Sequence, residues 1–453
     1  MDSQRKSMKK ILMFPWLAHG HIFPYLQLAK RLSTKKNFHI HLCTTAVNFP
    51  SITAFLHKYS LENSISTIPL HLHPNPALPP HLHTTKNLPS HLRLPLIKAF
   101  QTAQSSFSLI LADLLPDLLI FDVFQPWAAA AAASLLIPAV HFAPLGAATI
   151  SYTRQAYNTP SLPPLPFPQP LLRPSEKRSL DSLFHLLLTD VYGHGHNSTL
   201  INFELSSEVV LLRTIPSLED KYINYLSEYV SRKRILPVGA LVDDDNNNDE
   251  EDEENSDMMR WLGEKQKHST VYISFGSEYS LSNQEISELA KGLEISTANF
   301  IWVIRSLEPL LPEGFLDWTR ERGRVVVGWA PQERILKHPS VGAFVSHCGW
   351  SSVNESVYHG VPVVGMPVNV NMFVDAKVLA EAGVCVEVER EEDGGFKGEE
   401  IANAIDAVLG GERQGLRRRA TELSEKMKME EEAAIDQVAD QLWHLCCKRE
   451  RET

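Results

Sequence analysis

The architecture of this chain is most clearly indicated by residues 329–372, WAPQERILKHPSVGAFVSHCGWSSVNESVYHGVPVVGMPVNVNM. Two apolar runs within it, 342–346 and 361–366, have the length of buried strands. After the first run, His347 and Gly349 form a turn that leads into a helical segment beginning at Trp350. A strand, a turn, a helix and a further strand in this order are typical of a parallel sheet covered by helices.

The same alternation of short apolar strands and helical segments extends over both halves of the chain. The other predicted strands are 11–14, 38–43, 118–121, 139–142, 270–275, 300–304, 324–327 and 384–388. Two separate series of this kind predict an α/β fold with two doubly wound, Rossmann-like domains.

An acidic run separates the two series of strands. Residues 243–257, DDDNNNDEEDEENSD, hold ten acidic residues and no basic one, which is typical of a solvated linker. We therefore predict a first domain at 1–240, a linker at 241–257 and a second domain at 258–435. The charged helical segment 436–453 is expected to pack back on the first domain.

Composition and charge exclude several classes of function. The chain has 453 residues, of which 43% are hydrophobic and 21% charged, as in ordinary globular proteins. The acidic run accounts for ten of the eleven net negative charges, so the remainder is nearly neutral and does not suit nucleic acid as a partner. Five cysteines without CxxC spacing favour a reducing compartment. Since no cleavable signal and no long apolar span is visible, we expect a cytoplasmic protein without stable membrane insertion.

Residues 329–372 strongly resemble the signature box of plant family 1 UDP-dependent glycosyltransferases. The matching positions are Trp329, Pro331, Gln332, Ile335, Leu336, His338, Val341, Gly342, Phe344, His347, Cys348, Gly349, Trp350, Ser352, Glu355, Gly360, Pro362 and Pro367. FPWLAHGHIFPYLQLAKRL at 14–32, PPHLHTTKNLP at 79–89 and SFGSEY at 274–279 resemble the branch that extends a sugar already attached to its acceptor. The resemblance implies the GT-B fold, in which two Rossmann-like domains face each other across a cleft. The first domain would bind the acceptor and the second the UDP-sugar.

The resemblance also implies which residues bind the donor. They are Ser277, Trp329, Ala330, Gln332, His347, Gly349, Trp350, Ser351, Ser352, Glu355, Asn371 and Met372. These residue types suit the ligand, because a flat indole can stack on uracil and a carboxylate can accept both ribose hydroxyls. The helix N-terminus after Gly349 can meet a diphosphate, and with His347 it is expected to take the place of a cation. We therefore expect no metal and no redox cofactor, the UDP-sugar being a co-substrate.

His21 and Asp122 match the catalytic pair of the family. His21 lies at a strand-to-helix turn, the edge at which doubly wound sheets bind ligands, and Asp122 directly follows strand 118–121. The resemblance implies that His21 takes the proton of an acceptor hydroxyl while Asp122 orients the imidazole and stabilises its charge. The hydroxyl oxygen would then displace UDP with inversion. His19 and Pro144 are expected to line the acceptor site.

Several positions depart from the usual pattern of the family, and they concern the donor sugar. The box usually ends in Asp-Gln, which hydrogen-bond glucose hydroxyls, but here Asn371 and Met372 occupy these positions. Pro144 falls where many glucosyltransferases have Ser or Thr, and Ser351 where Asn is common. A site with fewer polar partners loses about 1 kcal/mol or more per missing hydrogen bond to a hexose, and less for a 6-deoxy sugar. UDP-rhamnose is therefore ranked slightly ahead of UDP-glucose, with UDP-xylose or UDP-arabinose behind.

The expected acceptor is a plant small-molecule glycoside, such as a flavonoid or terpenoid glycoside, and the protein is expected to be a monomer. One alternative is a UDP-glucosyltransferase that acts directly on an aglycone. Another is a non-catalytic homologue that binds a UDP-sugar or a metabolite, suggested by Asn371 and Met372. A nicotinamide-dependent oxidoreductase would share the alternating pattern, but no GxGxxG opens the first helix. The histidine-rich stretch 71–91 is assigned to the acceptor pocket rather than to zinc.

Overall fold

A computed structural model describes residues 8–157, 163–168, 172–186, 198–230, 233–243, 253–305, 311–410 and 414–452. The chain forms two compact units. The first contains Met1–Pro168, Phe184–Leu241 and Met429–Thr453, and the second contains Gln169–Leu183 and Val242–Lys428. The second unit thus includes a segment from the first half of the sequence, and the return to the first unit comes at Met429 rather than at 436. Part of the acidic linker, 244–252, and part of the proline-rich loop at 159–170 lie outside the described residues.

A seven-stranded parallel sheet forms the centre of the first unit, in the order β3-β2-β1-β4-β5-β6-β7. Its strands are β1 (Lys9–Phe14), β2 (Phe38–Thr44), β3 (Ile65–Pro69), β4 (Leu118–Phe121), β5 (Ala139–Ala143), β6 (Val209–Leu212) and β7 (Arg234–Pro237). Its helices are α1 (His19–Lys35), α2 (Phe49–Lys58), α3 (Arg93–Gln101), α4 (Gln104–Leu114), α5 (Pro126–Ser134), α6 (Ala147–Tyr157), α8 (Ser198–Leu205) and α9 (Pro216–Tyr225). A further helix, α7, spans Pro174–Leu186, most of it in the second unit.

Both faces of this sheet are covered, as the near-continuous apolar strands predict. Ile11 and Met13 of β1 point into one hydrophobic cluster, whereas Leu12 and Phe14 point into the other. Residues of α1 pack in the first cluster and residues of α3, α4 and α5 in the second.

The second unit has a six-stranded parallel sheet in the order β10-β9-β8-β11-β12-β13. The strands are β8 (Thr270–Ser274), β9 (Asn299–Ile304), β10 (Gly323–Val327), β11 (Val341–Ser346), β12 (Val363–Gly365) and β13 (Cys385–Glu387). The helices are α10 (Glu253–Gly263), α11 (Asn283–Ser296), α12 (Phe315–Thr319), α13 (Gln332–Lys337), α14 (Trp350–Tyr358), α15 (Val370–Glu381) and α16 (Gly398–Leu409). Val271 and Ile273 of β8 pack with α11 and α16, and Tyr272 packs on the other face with α10 and α13.

The last helix, α17, runs continuously over Gln414–Glu452. Its distal apolar residues, Ile435, Val438, Ala439 and Leu442, belong to a hydrophobic cluster of the first unit. Closer to its centre, the buried carboxylate of Glu431 accepts the backbone N–H of Ala240, at 3.0 Å. No helix within the described part of the chain is both long and apolar enough to span a membrane.

Candidate active site

The first unit brings His21 and Asp122 into direct contact. Nδ1 of His21 lies 2.8 Å from Oδ2 of Asp122, although 101 residues separate them in sequence. The contact follows from the sheet, because β1 and β4 are neighbours and Phe14 pairs with Phe121 at their carboxyl ends. From the sequence, His21 was expected at a strand-to-helix turn; in the structure it lies in the first turn of α1, which begins at His19.

The carboxylate of Asp122 is fully buried and is fixed by backbone groups as well as by His21. Its Oδ2 accepts the N–H of Trp16 at 2.9 Å, and its Oδ1 accepts the N–H of Val123 at 2.7 Å. An ionised carboxylate can only accept hydrogen bonds, so the contact with His21 assigns the imidazole proton to Nδ1. Nε2 is then the basic nitrogen, on a side chain that is 16% exposed.

The two residues expected to line the acceptor site lie close to this pair in the fold. His19 is two residues before His21, and its ring packs edge-on against Phe23, with centroids 5.3 Å apart. Burial, together with the positive charge of Lys86, lowers the pKa of His19 to about 4. His19 is therefore neutral near pH 7. Pro144 is buried immediately after β5, the neighbour of β4, and so lies at the same edge of the sheet.

In the second unit, Gln332 and Glu355 are joined by a hydrogen bond. Nε2 of Gln332 donates to Oε2 of Glu355 at 2.7 Å, and the hydroxyl of Tyr272 donates to Oε1 of Gln332 at 3.2 Å. Trp329, three residues before Gln332, has 71% of its surface exposed, whereas Ala330 beside it is buried. Such exposure leaves the indole face accessible to a flat ring. Tyr272 was not among the residues predicted from the sequence, where its only signal is a hydroxyl group within an apolar strand.

The turn after β11 leads into the N-terminus of α14. The helix begins at Trp350, and its N-cap residue, Gly349, provides no side-chain cap. Its first backbone N–H groups and its dipole suit an anion. Ser351 and Ser352 lie in this first turn, and Ser277 lies on the exposed segment after β8, the strand paired with β11.

His347 fills the space left by two glycines in this region. A Cβ atom at Gly276 would lie 2.7 Å from Nε2 of His347, and a Cβ atom at Gly349 would lie 2.6 Å from it. Gly276 also has a φ of +70°, which side chains other than glycine rarely adopt. Only glycine at both positions therefore lets the imidazole occupy its place.

The imidazole of His347 is buried, with 8% of the residue's surface exposed. Burial, reinforced by the charge of Arg305, lowers the pKa of His347 to about 4. A neutral imidazole offers a hydrogen bond but no charge, and the part of His347 in taking the place of a cation stays a prediction. Among the residues that the structure describes, no group of three or more His, Cys, Asp or Glu side chains could hold a metal ion.

Asn371 and Met372 lie in the first turn of α15, and both are partly exposed. Nδ2 of Asn371 donates to Oδ2 of Asp375, one turn further along the helix, at 3.3 Å. Asp375 is buried, with 1% of its surface exposed. Asp375 thus holds the amide of Asn371 through one of its N–H groups.

The carboxyl ends of the strands in the two sheets carry residues of the kinds that a sugar-nucleotide transferase uses. Comparison with known proteins identifies the family. A family model described as UDP-glucoronosyl and UDP-glucosyl transferase matches residues 196–425, about half of the chain. The chain belongs to this family: it is a UDP-glycosyltransferase of the plant type with the GT-B fold. The oxidoreductase alternative is therefore wrong.

The relatives cover nearly the whole chain. UDP-glucosyltransferase 29 of Panax ginseng is 44% identical over 463 residues, covering 100% of both chains. A flavanone 7-O-glucoside 2''-O-beta-L-rhamnosyltransferase of Citrus maxima is 40% identical and covers 99% of this chain and 100% of its own. Among solved structures, Phytolacca americana UGT2 complexed with UDP-2fluoro-glucose and pterostilbene superposes with a TM-score of 0.77 at 26% identity. That comparison covers 96% of this chain and 99% of the other.

Proposed function

We propose that the protein is an inverting, metal-independent glycosyltransferase that adds a sugar from a UDP-sugar to a hydroxyl group of a small-molecule glycoside. The observation that carries this proposal is the 2.8 Å contact between His21 and the buried carboxylate of Asp122. A histidine held in this way is a general base whose protonated form is stabilised by the adjacent negative charge.

In the proposed reaction, Nε2 of His21 accepts the proton of the acceptor hydroxyl. The hydroxyl oxygen forms a bond to the anomeric carbon from the face opposite UDP, while the bond between that carbon and the phosphate oxygen breaks. The electron pair of that bond leaves with UDP, and the configuration at the anomeric carbon inverts. Asp122 holds Nδ1 of His21 and stabilises the imidazolium that forms.

The proposed donor-site roles rest on residues of the second unit. Trp329 stacks on the uracil ring, and Glu355, oriented by Gln332, accepts the ribose hydroxyls. The diphosphate meets the N-terminus of α14, which begins at Trp350. Its hydrogen-bonding partners are Ser277, Ser351, Ser352 and the neutral ring of His347. Ala330 lies beside Trp329 at the uracil. No metal is required in this arrangement, since the helix dipole and several N–H groups stabilise the leaving phosphate.

UDP-rhamnose remains slightly favoured over UDP-glucose. Met372 offers no hydrogen bond to a sugar hydroxyl, and Asn371, with one N–H engaged by Asp375, has only its second N–H and its Oδ1 for the sugar. The Citrus relative is named for transfer of rhamnose to a glucoside, which supports both this donor and a glycoside acceptor. The ginseng relative is named as a glucosyltransferase, so UDP-glucose is the second candidate.

The proposal includes a monomer that acts in the cytoplasm on a flavonoid or terpenoid glycoside. All five cysteines are free thiols in the structure, which suits a reducing compartment. Size-exclusion chromatography with light scattering tests the monomer directly.

The function is tested by incubating the purified protein with UDP-rhamnose, UDP-glucose and UDP-xylose, each against paired aglycones and monoglucosides. Mass spectrometry should show a deoxyhexose added to the monoglucoside and no product from the bare aglycone. A hexose added to the monoglucoside would replace the donor assignment and keep the acceptor class. Sugar added to the aglycone would favour the alternative of direct glucosylation. A His21→Ala variant, which should bind UDP but not transfer sugar, is the control for contaminating activity.

A further inference from the structure

Arg390 connects two segments of the second unit that follow different strands of its sheet. Its Nη1 donates to the carbonyl oxygen of Gly394 at 2.5 Å, and its Nη2 donates to the carbonyl oxygen of Pro367. Its guanidinium also lies over the ring of Phe396, 3.9 Å from the ring centroid. The backbone bridge between residues 390 and 396 completes a small hairpin after β13. The guanidinium is therefore fixed in both position and plane.

Pro367 belongs to the connection from β12 to α15. Just before it, the N–H of Met366 donates to the carbonyl oxygen of Ser346 at 2.8 Å, so the sheet fixes the start of this connection. Three residues after Pro367, α15 begins, and its first turn carries Asn371 and Met372. The contact with Arg390 is therefore the next fixed point before the residues assigned to the donor sugar.

Two further contacts tie α15 to the end of the sheet near Arg390. The ring of Phe373, the residue after Met372, has its centroid 5.8 Å from the guanidinium carbon of Arg390. One turn beyond, Nζ of Lys377 lies 2.9 and 2.7 Å from the two carboxylate oxygens of Glu387, at the end of β13. Glu387 also pairs with Arg173, at 3.5 Å. The helix is thus held both at its entry and along its side.

We propose that Arg390 is a positioning residue for the donor sugar: by holding the carbonyl of Pro367 it sets the place of Asn371 and Met372. This inference rests on the proposed function, in which these two residues contact the sugar. The residues assigned to UDP lie on other elements, on α13, on α14 and on the segments that follow β8, β10 and β11. Loss of the Arg390 contact should therefore weaken binding of the sugar and leave binding of UDP unchanged.

The geometry requires arginine rather than any cation. A planar guanidinium can donate to two carbonyl groups at once while stacking on an aromatic ring. The ammonium group of lysine is a compact donor at the end of a flexible chain and cannot reproduce this arrangement. Arg390→Lys should therefore behave more like Arg390→Met than like the wild type, although it retains the charge.

The experiment compares Arg390→Lys and Arg390→Met with the wild type. Lys397→Met is the matched control, because Lys397 is an exposed cation directly after the same hairpin and its Nζ lies 2.8 Å from the exposed carboxylate of Glu391. Initial rates give kcat and the KM for the UDP-sugar, and calorimetry gives the affinity for UDP alone. We expect the KM for the UDP-sugar to rise about tenfold in both Arg390 variants, with the UDP affinity within about twofold of the wild type. The control should match the wild type in both measurements.

The outcomes separate this inference from the proposed function. A wild type that neither binds UDP nor transfers sugar would refute the proposed function and this inference with it. An active wild type together with Arg390 variants that lose UDP and UDP-sugar affinity equally would overturn this inference alone, since that pattern indicates general damage to the fold. An Arg390→Lys variant with the wild-type KM would also overturn it. Thermal unfolding of each variant identifies general damage independently, and Arg390→Lys keeps the test available should Arg390→Met not fold.

Discussion

Replacing Asp122 with asparagine should abolish most of the transfer activity while the protein remains folded. The two carboxylate oxygens accept three N–H groups, from Trp16, Val123 and His21. An asparagine side chain has one acceptor oxygen and one NH2 group, so at least one of these donors must face another donor. The orientation that keeps the bonds to Trp16 and His21 loses the one to Val123.

The size of the effect follows from the loss of charge and the loss of one hydrogen bond. A buried donor without an acceptor costs about 1–3 kcal/mol of stability, which a protein of this size should survive. Without the carboxylate charge, the imidazolium of His21 is no longer stabilised in the transition state. General base catalysis contributes about 10²–10⁴-fold, so kcat/KM should fall by that factor, or about 3–5 kcal/mol.

The assay measures initial rates with the preferred UDP-sugar and acceptor, and UDP binding by calorimetry. Asp117→Asn is a matched control, because Asp117 accepts a single exposed backbone N–H, that of Lys10, at 2.8 Å. UDP binding should be unchanged in both variants, since the residues assigned to UDP lie in the second unit. An Asp122→Asn enzyme with a rate within about threefold of the wild type would refute the base assignment.

Three further perturbations test other parts of the structure. Gly349→Ala places a Cβ atom 2.6 Å from Nε2 of His347, at a φ of −61° that alanine adopts with little backbone strain. The affinity for UDP, measured by calorimetry, should therefore fall about tenfold. An unchanged affinity would contradict the close packing of His347 against Gly349. Asn371→Asp sets a carboxylate against that of Asp375 and should lower the free energy of unfolding in urea by about 1–3 kcal/mol. The double variant Asn371→Asp with Asp375→Asn should recover this stability. A single variant as stable as the wild type would contradict the hydrogen bond between the two side chains. Burial lowers the pKa of His141 from 6.5 to about 4, so between these values the unfolded chain binds a proton that the folded chain does not, and stability is lost as the pH falls. His141→Phe should therefore reduce the loss of stability between pH 6.5 and about pH 5 by about 2 kcal/mol in urea unfolding, and an unaltered pH dependence would contradict this.

The parts of the fold that the sequence predicts are those whose signal is local. The run Leu118–Phe121 is apolar throughout and forms β4 at those residues, because a strand buried on both faces needs no polar alternation. The strand β3 was missed, since Ser66 and Thr67 give an edge strand little hydrophobic character. The strand β6, four apolar residues, was missed for a different reason: so short a run does not distinguish a strand from part of a helix.

The candidate site divides in the same way. Residues 329–372 lie close together along the chain, and the resemblance of this segment to the family's signature box already implies that Trp329, Gln332 and Glu355 share a site. The hydrogen bond that Tyr272 donates to Gln332 was not predictable, because it depends on β8 and α13 packing together in one hydrophobic cluster. The proton affinity of His347 was also not predictable, because it depends on how deeply the ring is buried.

The sequence alone determined that this chain forms two parallel sheets covered by helices and that it resembles a UDP-glycosyltransferase, because hydrophobic periodicity and motif spacing are properties of neighbouring residues. The tertiary structure decided which distant groups meet. His21 reaches Asp122 across 101 residues only because β1 and β4 are adjacent, and Arg390 reaches Pro367 only because β12 and β13 are adjacent. Strand order is a compromise among the packing of all the elements, and no local pattern encodes it. The contacts proposed to orient the base and to position the sugar therefore had to be found in the folded chain.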